Sequence, residues 1–152
     1  MFEPIDTEPR LWFRPLRPFY RAVEPLSWLL VRLTVGLMLI PHGWPKIEAG
    51  VSATAASALA KRGIQPAEPF AVWLMILETV GGLCIALGLL TRFWATAIAI
   101  EMFVIVYHYL PAGFGWTRPG YEYPLMWGLI MVAIALRGGG PYSLDRKIGR
   151  EL

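Results

Sequence analysis

Charged residues and cysteine are both scarce in this sequence of 152 residues. Only 16% of the residues are charged, whereas 56% are hydrophobic, and the mean hydropathy is +0.50. A soluble domain of this length would need a more polar exterior, and long apolar runs of this kind are typical of membrane proteins. The single cysteine, Cys84, has no partner in the chain, so disulfide usage does not indicate a redox compartment.

Several patterns that indicate catalysis are also missing. The sequence contains no zinc pattern, no flavin fingerprint and no recognisable pair of nucleophile and base, and its glycine-rich stretches lack the strand-to-helix context of a nucleotide loop. We therefore predict no catalytic residues, no metal site and no two-electron chemistry by this chain alone. The net charge of +3 does not indicate nucleic acid, because the basic residues lie at the edges of apolar runs, where they suit anionic lipid head groups.

Four apolar segments predict an all-α integral membrane protein, a bundle of four transmembrane helices. A crossing takes about 20 residues and can be made with about 17. The predicted spans are residues 26–44, 70–90, 93–110 and 123–137, and the fourth is the shortest. A Pro/Arg-rich interfacial arm, residues 1–25, precedes this transmembrane domain of residues 26–137, and a basic cytoplasmic tail, residues 138–152, follows it. An Ala-rich stretch that ends at Gly63 predicts a short extra helix in the first outer loop.

The distribution of Lys and Arg predicts that both termini are cytoplasmic, because cytoplasmic loops are rich in these residues. With both termini on one side, that side would hold Arg10, Arg14, Arg17, Arg21, Arg92, Arg137, Arg146, Lys147 and Arg150. The other side would hold Lys46, Lys61, Arg62 and Arg118. The outer loops would then be residues 46–69 and 111–122.

Three charged residues, Arg32, Glu78 and Glu101, lie inside predicted spans. A lone acid within a membrane is costly and indicates a functional site. At ~1.5 Å per residue, Arg32 and Glu101 would lie about 9 and 12 Å from the cytoplasmic side. We therefore predict that Arg32 bridges one or both carboxylates, and that any unpaired acid takes a proton. Such an Arg/Glu network either fixes helix register and nothing else, or forms a protonatable site in a small cavity that exchanges a proton with a quinone, a substrate or a relay.

Two histidines lie near the outer ends of the helices. His42 ends the first span, and His108 lies near the end of the third, seven residues after Glu101 and on the same helix face. Two histidines on different helices could ligate a haem or a metal, but the sequence supplies no further cysteine or acid for such a site. Hydrogen-bonding or interfacial roles are therefore favoured over haem ligation.

The order of short motifs along the chain resembles one known family. The first half contains Arg32-Leu33, Gly36-Leu37, His42-Gly43-Trp44-Pro45-Lys46, Gly63-Ile64 and Pro66. The second half contains Glu78-Thr79-Val80-Gly81-Gly82, Leu87-Gly88-Leu89-Leu90-Thr91-Arg92, Glu101-Met102 and Gly140-Pro141-Tyr142-Ser143-Leu144-Asp145. From Leu26 to Asp145, this ordered set resembles the DoxX family of small four-helix membrane proteins.

The resemblance implies a multi-pass protein of the prokaryotic inner membrane, in a family named after a subunit of a thiosulfate:quinone oxidoreductase and associated with membrane redox and oxidative-stress assemblies. The family's polar positions would be Arg32, His42, Lys46, Glu78, Arg92 and Glu101, whereas His108 lies outside the pattern.

We expect an accessory subunit of a quinone-linked redox assembly, with lipid, protein partners or further copies of itself as its contacts, no nucleic acid, and a quinone as the candidate cofactor. The candidates for ligand binding or proton relay are Arg32, His42, Lys46, Glu78, Glu101 and His108. The alternatives are an independent carrier, for a small molecule or coupled to protons, and a purely structural scaffold.

Overall fold

The structure of this chain is a computed structural model that describes residues 11–115 and 119–151. The described residues form helices joined by turns and include no β-strand. The helices are α1 (Arg17–Ala49), α2 (residues 51–62), α3 (Ala67–Leu87), α4 (Thr91–Tyr109), α5 (Glu122–Arg137) and α6 (Leu144–Ile148). Arg10 and Arg118, two of the basic residues that predict the orientation, lie outside the described residues.

Three helical stretches of the described chain are long and apolar enough to cross a membrane: Arg14–Ala49, Ala67–Leu87 and Thr91–Ala112. Large apolar side chains cover their outer surfaces, as expected for helices that contact lipid. The all-helical architecture is therefore confirmed. α5 coincides with the predicted fourth span, but it has 16 residues, fewer than the ~17 of a short crossing. A fourth crossing thus stays a prediction.

Helix α1 begins earlier than the sequence predicts. It starts at Arg17 rather than at Leu26, so the end of the predicted interfacial arm is already helical. Pro18 lies in the first turn, where a backbone N–H has no intrahelical acceptor and proline is tolerated. Pro25 lies further inside α1, at the position where the arm was expected to end. A proline inside a membrane helix is compatible with a continuous helix, so it did not mark a boundary here.

The short helix predicted between the first two spans is present as α2. Its Val51–Thr54 turn is α-helical, Ala55–Leu59 forms a π-helical turn, and Ala60–Arg62 ends in a 3-10 turn. Gly63 follows in the left-handed conformation with φ +74°, which closes the helix as the sequence predicts.

Glycines set the register between α1 and α3, which run antiparallel. A Cβ atom on Gly36 would lie 2.5 Å from the carbonyl oxygen of Gly82 and 2.7 Å from the backbone nitrogen of Ala86, so the two backbones touch. Further along α1, a Cβ atom on Gly43 would lie 2.9 Å from the Cβ of Glu78. Small residues at such crossings are how membrane helices approach closely. The beginning of α1 therefore faces the end of α3, and the end of α1 faces Glu78.

The C-terminal tail is docked against the bundle. Trp28 donates its indole N–H to the carbonyl of Gly138 at 3.0 Å, which holds the end of α5 against α1. Ser143 caps the first turn of α6 by accepting the N–H of Arg146 at 3.1 Å. Asp145 is buried and accepts hydrogen bonds from the backbone N–H groups of Leu90 and Thr91. The motif from Gly140 to Asp145 thus closes the end of the bundle at the turn between α3 and α4.

Candidate functional site

Glu78 lies where α3 departs from regular α-helical geometry. Residues Leu77–Gly81 form a π-helical turn in the middle of this helix. Such insertions widen a helix locally and are frequent at functional sites. Gly43 of α1 packs directly against this turn, and the side chain of Glu78 is almost fully buried there.

Lys46, on the last turn of α1, pairs with Glu78. Its ammonium group contacts Oε2 of Glu78 and also donates to the carbonyl oxygen of His42 at 2.7 Å. The Lys46 side chain is 26% exposed, whereas that of Glu78 is 6% exposed. A buried carboxylate is tolerated in an apolar bundle when a cation accompanies it. The structure therefore assigns the counter-ion of Glu78 to Lys46.

The predicted bridge from Arg32 to the two carboxylates is wrong. Arg32 is fully buried, and its guanidinium donates to the carbonyl oxygens of Ile85, Ala86 and Tyr142 at 3.4, 3.5 and 3.1 Å. These acceptors belong to the end of α3 and to the tail. The reason is the antiparallel register: Arg32 lies 11 residues before Gly43, or about 16 Å along α1, and Gly43 is the residue that meets Glu78.

Glu101 of α4 is the second buried acid of the site. It is 9% exposed, and neither of its carboxylate oxygens has a hydrogen-bond partner among the described residues. Glu78 and Lys46 are the charged groups that act on it most strongly. The packing of Gly81 against Ile98 brings this part of α4 level with Glu78. The site thus combines two carboxylates with one paired ammonium, and the buried charges do not cancel if both acids are ionised.

These groups line one wall of a cavity of about 470 Å³ between α3 and α4, which we call cavity A. Its polar residues are Lys46, Arg62, Glu78, Glu101, His108 and Tyr109. The rest of the wall is apolar and includes Phe70, Trp73, Ile100 and Val104, which are also exposed on the outer surface of α3 and α4. The mouth of cavity A therefore opens onto the apolar surface that a membrane helix turns towards lipid.

The polar end of cavity A near the loop is held by α2. Nδ1 of His108 lies 2.8 Å from the carbonyl of Val104, and Nε2 lies 3.3 Å from the carbonyl of Arg62. Arg62 in turn donates to the hydroxyl of Tyr109 at 3.2 Å and lies over its ring at 5.6 Å. Glu101 and His108 both line cavity A, as expected for residues seven apart on one helix.

A second cavity of about 470 Å³, cavity B, lies on another side of Glu78. Its lining includes His42, Tyr123 and Trp127, together with residues of the loop between α4 and α5. Glu78, Ile105 and Tyr109 line both cavities. The two predicted histidines are therefore separated: His42 faces cavity B, whereas His108 faces cavity A.

The described residues contain no cluster of three or more His, Cys, Asp or Glu side chains that would suit a metal ion. With one histidine in each cavity, the structure does not bring His42 and His108 together as a ligand pair. What the arrangement offers is a lipophilic compartment with hydrogen-bond donors and two carboxylates at its inner end.

Comparison with known proteins identifies the family. A family model described as DoxX matches residues 27–110, which is more than half of the chain. This chain belongs to the DoxX family. An uncharacterized protein of Haemophilus influenzae is 27% identical to it over 140 residues, covering 89% of this chain and 95% of that protein. No solved structure matches the chain.

The polar positions that the resemblance to DoxX implies fall into two groups in this structure. Lys46, Glu78 and Glu101 meet at cavity A, and His42 lies close by in cavity B. Arg32 and Arg92 lie at the other end of the bundle, where both donate to backbone carbonyls. The first group lines the two cavities, and the second donates to carbonyls at the ends of helices and, for Arg32, in the tail.

Sequence reasoning missed three polar residues that the structure makes important. Arg62 and Tyr109 belong to cavity A, but in the sequence they look like an ordinary loop cation and an interfacial aromatic residue. Asp145 was expected in a basic tail, whereas it is buried with 2% exposure. The signal for Asp145 was its place in the motif Gly140–Asp145, which is part of the resemblance to DoxX.

Proposed function

We propose that this DoxX protein is an accessory membrane subunit of a quinone-linked redox assembly, and that cavity A holds the quinone. The observation that supports the proposal is the composition of cavity A, which joins an apolar mouth to a buried set of donors and carboxylates. A quinone has an apolar tail, a flat ring and carbonyl oxygens that accept hydrogen bonds. Its tail would lie between Phe70 and Ile100, and Lys46 and Arg62 would donate to the ring oxygens.

The proposal includes four crossings, with both termini in the cytoplasm of a prokaryotic cell. α5 packs along α4, and its 16 residues extend for about 24 Å at ~1.5 Å per residue. A bilayer core of ~30 Å accommodates a short helix by local thinning. Arg14, Arg92 and Arg137 lie at the end of the bundle where the tail docks, which supports a cytoplasmic tail under the positive-inside rule.

We propose that this chain binds the quinone and exchanges protons with it, and that a partner protein transfers the electrons. Among the described residues, Lys46 is the cation that pairs with one of the two carboxylates, whereas Arg62 of the same cavity donates to Ala58 and Tyr109. Two negative charges are costly in an apolar environment, and we propose that one of the acids carries a proton. We propose that Glu78 or Glu101 exchanges this proton with the hydroxyl of a reduced ligand in cavity A. This use of the site requires a ligand, whereas a scaffold would need no cavity that opens to lipid.

The first test is ligand binding to the purified protein. A decyl-tailed benzoquinone is titrated into the protein in mild detergent, and the heat of binding is measured. We expect saturable binding that is lost in Ile100→Trp, because Ile100 lies at the mouth of cavity A. The matched control is Leu129→Trp: Leu129 is 56% exposed, similar to Ile100 at 61%, but it does not line either cavity.

The second test is purification from the native membrane in mild detergent, with mass spectrometry of proteins and extractable small molecules. The proposal expects a redox protein to copurify and a quinone to be extracted. In the binding test described above, equal quinone binding by Ile100→Trp and Leu129→Trp would refute cavity A as the quinone site. A pure preparation without partner or quinone, together with no saturable binding, would overturn the proposal in favour of a scaffold.

A further inference from the structure

We infer that Glu78 connects the two cavities and passes protons from a ligand in cavity A to water in cavity B. This inference rests on the proposed function, since it gives the proton of the bound ligand a way out. It differs from a path along the face of α4 through Glu101 and His108, which both line cavity A alone.

Glu78 lies in the wall between cavities A and B. Glu78 is the acidic residue that lines both cavities, and Tyr109 is the other polar side chain they share. A carboxyl group at a shared wall can take a proton on one side and release it on the other without a large movement. The π-helical turn Leu77–Gly81 carries Glu78, and Gly43 opposite leaves room for the helices to approach there.

Cavity B has a polar wall that suits water. Glu78 and Tyr109 bring polar groups to its wall. His42, which is exposed, and Tyr123 add further polar groups. A cavity of this volume with several polar side chains in its wall is a setting in which ordered water is found. Cavity B is therefore suited to hold the water that receives the proton.

The charged and titratable groups around Glu78 fit such a transfer. Lys46 of α1 holds one oxygen of Glu78, Glu101 of α4 acts on it from cavity A, and His42 and Tyr109 line the cavities it faces. In the transfer, the ligand is in its quinol form, as electron transfer by the partner protein would leave it. One O–H bond of the quinol breaks, the electron pair stays on the quinol oxygen, and an O–H bond on Glu78 forms. That O–H bond then breaks as water in cavity B takes the proton. No electron moves in these steps.

Two carbodiimides that differ in solubility test the inference on the full-length protein in lipid vesicles. Dicyclohexylcarbodiimide is lipophilic and enters from the apolar mouth of cavity A, so we expect it to modify both Glu78 and Glu101. The water-soluble ethyl-dimethylaminopropyl carbodiimide, used with glycine ethyl ester, should modify Glu78 and leave Glu101 largely unmodified. Peptide mass spectrometry detects each product, and an amide between Glu78 and Lys46 counts as modification of Glu78.

Two variants separate the two routes. His42→Trp, in cavity B, should remove most of the water-soluble label from Glu78 and leave the lipophilic label unchanged. Ile100→Trp, at the mouth of cavity A, should do the reverse. Leu129→Trp should change neither, and unchanged elution in size-exclusion chromatography shows that each variant is folded.

The outcomes distinguish this inference from the proposed function. If the decyl-tailed quinone binds in cavity A but the water-soluble reagent does not reach Glu78, the connection is refuted and the quinone site stands. The connection is also refuted if Ile100→Trp removes both labels from Glu78, since water would then enter through cavity A. If both labels behave as expected but no quinone binds, the connection stands and the ligand proposed for cavity A is wrong.

Discussion

Removing the carboxylate of Asp145 should break the hydrogen bonds that hold the tail against the bundle, and should destabilise the whole protein. Oδ1 accepts the N–H of Leu90 at 2.7 Å, and Oδ2 accepts the N–H and the hydroxyl of Thr91 at 2.9 and 2.6 Å. Thr91 is the first residue of α4, so a negative charge here also interacts favourably with the helix dipole. In addition, Leu90 has φ +47°, a conformation that costs a non-glycine residue about 1–2 kcal/mol and needs support.

The magnitude follows from these contacts. In Asp145→Ala, two backbone N–H groups and one hydroxyl lose their acceptor, and each buried unsatisfied group costs about 1–3 kcal/mol. Water can replace the acceptor at Leu90, which is only partly buried. We therefore expect a loss of about 3–5 kcal/mol, which resembles the cost of breaking other buried charged contacts. At ~1.4 kcal/mol per tenfold, the folding equilibrium constant should fall by about 10²–10⁴.

The assay is equilibrium unfolding in mixed micelles with increasing SDS, followed by tryptophan fluorescence. Arg146→Gln is the matched control, because Arg146 lies next to Asp145 on α6 but is exposed, and it should change the free energy of unfolding by less than about 0.5 kcal/mol. Thr91→Val removes one of the three bonds and should cost about 1 kcal/mol. In Asp145→Ala, the added Thr91→Val should cost much less, because the acceptor is already gone. A near-neutral Asp145→Ala, or full additivity of the two changes, would refute the role assigned to this carboxylate.

Three further predictions concern the charges and glycines of the bundle, and the same unfolding assay measures all of them. Lys46→Met should destabilise the protein by about 2–4 kcal/mol because Glu78 loses its counter-ion, and Glu78→Gln in that background should restore part of the loss; no recovery would contradict the ion pair. Arg32→Ala should cost about 3 kcal/mol, but Glu78→Gln should not restore it, since Arg32 bonds to backbone carbonyls; a recovery would reinstate the bridge between them. Gly36→Ala should lower the free energy of unfolding more than Gly128→Ala. A Cβ on Gly36 would meet backbone atoms at 2.5 and 2.7 Å, whereas a Cβ on Gly128 would meet side chains at 3.2 Å or more. Equal losses in the two variants would contradict the close crossing of α1 and α3.

The helices could be predicted from the sequence because their signal is local. A run of apolar residues about 20 long predicts a membrane helix wherever it packs. Thus residues 70–90 and 93–110 correspond closely to α3 and α4, and Gly63 ends α2 in the expected left-handed conformation. Helix ends at proline were less predictable: Pro25 looks like a boundary in the sequence, but the membrane helix α1 continues through it.

The members of the candidate site could be named from the sequence, but their partners could not. Glu78 and Glu101 were recognisable because an acid in an apolar run is costly wherever it lies. Their neighbours depend on which residues of two helices lie side by side, and no local pattern encodes that. Cavities A and B are products of the same packing, so no pattern in the sequence indicates that His42 and His108 line different cavities.

The choice of counter-ion illustrates how register decides chemistry in a bundle with few charges. Depth along one helix, counted from a predicted end, placed Arg32 within reach of Glu101. The contact of Gly36 with Gly82 fixes a different alignment, in which Arg32 meets the last carbonyls of α3 and Lys46 meets Glu78. A cation at carbonyls of a helix C-terminus is favourable in itself, because the helix dipole is negative there. The carboxylate that acts on buried Arg32 is Asp145 of the tail, and not Glu78 or Glu101. The two acids of the site are therefore left with Lys46 as their paired cation, and with a charge that a ligand or a proton can compensate.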